Sequence, residues 1–146
     1  MYGRVEIVNI DSSLAEANSV DAVLTFRNLH NWLGPQLDTI FTNSYKALKP
    51  GGIFGVVEHR ANPRTSLELM KKSGYVTVDH ALKMAKKHGF EYVSSSEVNS
   101  NPKDIKDYPK GVWTLPPNLR MKEVDKAKYI EIGESDRMTL LFRKPL

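Results

Sequence analysis

A chain of 146 residues that is 40% hydrophobic and 26% charged has the size and composition of one soluble domain with a real core. The absence of cysteine rules out disulfides, thiolate nucleophiles and thiolate metal sites. Its net charge of +4 is scattered in single lysines and pairs (Lys71-Lys72, Lys86-Lys87), which argues against a nucleic-acid surface, and no apolar run approaches the roughly 18 residues of a membrane span.

Residues 4–10 (Arg4-Val5-Glu6-Ile7-Val8-Asn9-Ile10) alternate weakly and are rich in β-branched side chains, which predicts a strand. Nothing before them has the charged start and apolar stretch of a signal peptide, so a cytoplasmic location is expected. After a polar turn, Val20 to Phe26 is a nearly continuous apolar run, the pattern of a strand buried on both faces. From Pro35 to Leu48 the apolar period becomes helical, through Leu37, Ile40, Phe41 and Leu48. Lys49-Pro50-Gly51-Gly52 stops that helix, and Ile53 to Val57 reads as a second buried strand, which completes a βαβ unit. A second helix is expected around Val78, Ala81, Leu82 and Ala85, ended by Gly89, with a strand from Phe90 to Ser96. Residues 99–117 are polar and proline-bearing and read as a long loop. A short helix over about 122–132 and a strand over 138–142 close a single α/β domain over residues 1–146.

The combination of an Asp21-led strand, a helix ending Leu48-Lys49-Pro50-Gly51-Gly52, and a strand at Ile53 resembles the C-terminal half of the class I S-adenosylmethionine-dependent methyltransferases. Phe26-Arg27-Asn28-Leu29-His30-Asn31-Trp32 and Gly111-Val112-Trp113-Thr114-Leu115-Pro116-Pro117 resemble strings found in a bacterial group of uncharacterised methyltransferases. The resemblance implies an incomplete Rossmann-like sheet, mostly parallel with an antiparallel last strand and flanking helices, taken from a family order of 3-2-1-4-5-7-6. It implies S-adenosylmethionine as cofactor, with Asp11 at the adenine; Arg27 and Asn28 are further candidate cofactor contacts, Asn28 for the methionine part or else for a substrate heteroatom. Asp11 reads equally well as a turn residue. The family's glycine-rich turn is missing, since the nine glycines include no G-x-G. The expected protein is therefore methyltransferase-like and inactive or weakly active alone. The alternative is a module that binds a small ligand or a protein through the remaining crevice or strand edge.

His30 and His59 both follow strands at the end where open α/β sheets carry their crevice, and imidazole is suited to acid–base work at neutral pH. They are the candidate catalytic residues. Asn31, Trp32, Glu58, Arg60 and Trp113 are candidate substrate contacts, with Trp113 either a lid or an anchor for its loop. Glu58 with the two histidines does not follow a known metal spacing, so no metal is expected. Glu134 to Arg137 could reach a substrate, but a solvated turn or a local ion pair is the preferred reading. A strand at 20–26 without its family neighbours leaves an edge open to pairing. Either residues 4–10 dock beside it or two chains pair to form a homodimer, and the dimer is the preferred expectation.

Overall fold

The computed structural model of the chain describes Gly3 and residues 5–146. Strand β1 (Val20–Phe26) leads through a 3-10 turn (Leu29–Trp32) into helix α1 (Pro35–Ala47) and strand β2 (Leu48–His59). Helices α2 (Leu67–Ser73) and α3 (Val78–Lys87) precede strand β3 (Glu91–Ser96). A second 3-10 turn (Gly111–Thr114), helix α4 (Lys126–Ile132) and strand β4 (Arg137–Arg143) finish the fold. The sheet order is β1-β2-β4-β3, with β1 parallel to β2 and β4 antiparallel to both of its neighbours.

Local chemistry sets these boundaries. Pro35 opens α1 at a position where its missing N–H costs nothing. The hydroxyls of Ser66 and Thr77 cap α2 and α3 by accepting the N–H groups of Leu69 and His80. Gly74 ends α2 in the left-handed region that glycine enters freely. Helix α2 was not expected from the sequence, although Ser66 and Gly74 bracket it. The Lys49-Pro50-Gly51-Gly52 stretch belongs to β2 as an irregularity, because the register jumps from Val20–Leu48 to Ala22–Ile53.

Strand alternation gives the sheet two unlike faces. The paired rows Val23–Phe54–Phe142 and Thr25–Val56–Leu140 look toward α1 and α3. There Leu37, Phe41, Ala81 and Ala85 close over Phe54 and Phe142, all essentially buried. Edge-to-face contacts join Phe41 to Phe54 at 5.1 Å and Tyr45 to Phe90 at 5.2 Å. The alternate rows, Leu24–Gly55–Leu141 and Phe26–Val57–Thr139, line an apolar depression of about 370 Å³. Leu24 is 58% exposed and Phe26 is 57% exposed. The expectation that the first apolar run is buried on both faces is thus wrong for β1, because a helix layer covers one side only.

The strand expected at residues 4–10 is also not observed. Arg4 lies outside the described residues, and residues 5–9 carry no regular structure, with Val5 and Ile7 largely exposed. An isolated strand has no hydrogen-bonding neighbour to hold it extended. The chain instead runs along α1. Asp11 accepts from the Gln36 amide at 2.9 Å, the Asn43 amide donates to the Ser12 carbonyl at 2.7 Å, and the backbone N–H groups of Asn18 and Ser19 bond to the end of that helix. Among the described residues, the outer edge of β1 has no strand partner.

Candidate functional site

The site forms where β1 and β2 end. Arg27 takes a positive φ of 56°, and its backbone N–H donates to the Val57 carbonyl at 2.7 Å, which turns the chain sharply out of β1. Leu29 is fully buried and pins the following turn. That anchor presents His30 to the end of β2, where alternation points Glu58 inward and its neighbour His59 the other way.

Glu58 is completely buried. A carboxylate in that position is tolerated only when hydrogen bonds replace its lost hydration. Three donors do so: the backbone N–H groups of His30 at 2.9 Å and His59 at 2.7 Å, and His30 Nδ1 at 3.0 Å. An ionised carboxylate can only accept, so with Glu58 ionised the His30 Nδ1 is the donor in this contact, and in the neutral ring the lone pair is then on Nε2. His59 faces His30 with ring centroids 5.3 Å apart, and its Nδ1 lies 2.5 Å from Ser135 Oγ. Burial pushes the His59 imidazole down to about 4, against the opposing pull of the Glu58 charge, so it is neutral at pH 7.

Both rings line a cavity of about 340 Å³ that they share with Phe26, Arg27, Asn31, Trp113 and Arg137. Trp113 stands edge-on to His30 at 5.8 Å. It is an anchored wall and not a free lid. Gly111, at φ 56°, approaches the Ser73 backbone so closely that an added Cβ would lie 2.2 Å from its carbonyl oxygen. The indole also lies against Gly74, and its carbonyl accepts the Arg120 N–H at 2.9 Å.

Among the sequence-selected residues, His30, Glu58, His59, Arg27, Asn31 and Trp113 converge. The others do not. Arg60 is committed to Glu97 and Asp136 by bonds of 2.7–2.9 Å. That engagement holds the Asp136 carboxyl below the usual carboxylate range, against the opposing effect of burial. Trp32 packs against the helix-side core and shares with Asn28 a separate cavity of about 330 Å³. The Asn28 amide folds back onto the Phe26 carbonyl at 3.3 Å, and Asp11 is held by Gln36. Ser135 and Arg137 line the cavity but were not among the chosen site residues. The local ion pair expected in their segment is present between Arg137 and Glu134, whereas the solvated turn is not, since Ser135 and Asp136 are buried through the long-range pairing of β4 with β2.

His30, Glu58 and His59 hold potential ligand atoms within 4.8 Å of one another. Both Glu58 oxygens are nonetheless occupied by N–H donors, and Arg27 adds positive charge to the same cavity, which disfavours a cation there. The arrangement is suited to moving a proton.

No family model matches the sequence, and no curated protein does. Solved structures do match. The [4+2]-cyclase SpnF is 20% identical with a TM-score of 0.64, over 97% of this chain and 56% of its own. An S-adenosylmethionine-dependent methyltransferase from Methanosarcina mazei is 14% identical with a TM-score of 0.60, over 97% and 66%. Another from Mesorhizobium loti is 16% identical with a TM-score of 0.54, over 95% and 68%. The chain has the class I methyltransferase fold and spans 56% and 66% of the length of the first two of these neighbours. The described residues do not fit S-adenosylmethionine by themselves. No G-x-G turn is present to let backbone approach the nucleoside, Asn28 bonds back to the Phe26 carbonyl, and one Asp11 oxygen is taken by Gln36.

Proposed function

We propose that this chain forms the acceptor side of an S-adenosylmethionine-dependent methyltransferase, with His30 as its general base. The observation that carries this reading is the buried Glu58 side chain, which holds the His30 ring through Nδ1 beside a walled cavity and so leaves Nε2 as the nitrogen not engaged by Glu58. In the proton step, the X–H bond of a bound acceptor breaks and its electron pair stays on X. The proton passes to Nε2, and the Glu58 charge stabilises the imidazolium that forms. Neutral His59 and Asn31 orient the acceptor from the cavity wall. Such a base contributes about 10²–10⁴-fold to a rate.

Nitrogen-15 NMR of the histidines tests this reading. His30 should carry its proton on Nδ1 in the native chain and lose that preference in Glu58→Gln. A native ring protonated on Nε2 would overturn the assignment. Calorimetric titration with S-adenosylmethionine should show no binding to this chain alone, and micromolar binding would overturn the view that its cofactor cradle is incomplete.

The exposed Leu24 and Phe26 favour a second, compatible reading. A free strand edge is self-complementary about a twofold axis. We propose that a second copy covers β1 and its apolar face. Light scattering should then find a dimer at micromolar concentration, and a stable monomer would sink the proposal.

A further inference from the structure

Trp113 walls a second cavity on the side away from the histidines. That cavity, about 680 Å³, lies between α2 and the loop over 106–111. Its lining carries Lys72, Lys106, Lys110 and Arg120 against one carboxylate, Asp107. Lys106 is already paired with Asp136 at 2.7 Å. Among the described residues, Lys72, Lys110 and Arg120 have no carboxylate partner. Arg120 is held by stacking: its guanidinium carbon sits 4.6 Å over the Trp113 ring. Stacking engages the planar face and leaves the N–H edge for an oxyanion, the geometry that guanidinium groups use for phosphate and carboxylate. The histidine cavity beyond Trp113 also carries Arg27, while its second arginine, Arg137, is paired with Glu134. Trp113 lines both cavities, so the cationic cluster and the histidine pair border the same indole.

We infer that the methyl acceptor is a small molecule bearing a phosphate or carboxylate group, which Lys72, Lys110 and Arg120 bind while its nucleophilic atom reaches His30. This rests on the acid–base reading of His30 for the second half of the statement only, so the two are tested separately. The probes are inorganic phosphate, phenyl phosphate, benzoate and uncharged phenol, titrated into the native chain while the Trp113 indole N–H is followed by NMR.

Phosphate and phenyl phosphate, or benzoate if the carboxylate is preferred, should shift that resonance saturably, and phenol should not. Lys72→Glu with Lys110→Glu should weaken binding at least tenfold, and the milder pair Lys72→Ala with Lys110→Ala should weaken it in the same direction. His30→Ala should leave inorganic phosphate binding unchanged, so loss of His30 function would not disturb this result. No shift, a shift that survives both lysine pairs, or a shift abolished only by His30→Ala would overturn the inference. So would a short single-stranded oligonucleotide that binds more tightly than phosphate and is driven off steeply by salt, since that is the signature of a nucleic-acid surface.

Discussion

The two faces of one sheet have different fates. On one side Phe54 and Val56 of β2 and Leu140 and Phe142 of β4 are closed under α1 and α3, while on the other Leu24 and Phe26 of the edge strand β1 stay more than half exposed. Residue type does not separate them, since both rows are apolar. What separates them is whether a helix layer lies above. Hydrophobicity along a strand therefore reports what a face needs and leaves open what covers it.

The largest expected effect tests that contrast directly. Phe54→Ala should cost about 3–5 kcal/mol in urea unfolding, because it opens a cavity under two helices. Phe26→Ala should cost under about 1 kcal/mol in the monomer, and equal losses would erase the distinction between the faces. Next in size, Glu58→Ala should cost about 2–4 kcal/mol, since it strands the N–H groups of His30 and His59 inside the protein, and Glu58→Gln should recover part of the loss. A third expectation concerns pH. His59 titrates at about 4 when folded and near 6.5 when unfolded, so the unfolded chain binds more protons between those values. Stability from this group is complete above pH 6.5 and is lost as pH falls toward 4. Urea midpoints measured across that window should show a shallower slope in His59→Gln. The smallest effect on stability, and a large one on assembly, is expected for Phe26→Arg. It should leave the melting temperature within a few degrees and shift light scattering from dimer to monomer.

Much of this was legible in the sequence. The switch in apolar period at Pro35 located the start of α1 because local sterics decide it, whereas Lys49-Pro50-Gly51-Gly52 lies inside β2, which begins at Leu48 directly after the helix and five residues ahead of the expected Ile53. His30 and His59 could be placed at one sheet end because strand direction follows from the βαβ unit. The Ser135 contact with His59 depends on pairing 76 residues apart, which no local pattern encodes. Residues 5–9 have strand-like side chains, yet strand formation needs a neighbour that the described chain does not supply. Arg60 looked like a pocket residue by position, but its bonds to Glu97 and Asp136 turn it into a tether between the loop after β3 and the start of β4.

Phe26 borders three spaces at once: the histidine cavity, the cavity beside Trp32 and the depression on the uncovered side of the sheet. Phe26 is the residue these three spaces have in common, so a substitution there alters the lining of all of them at once.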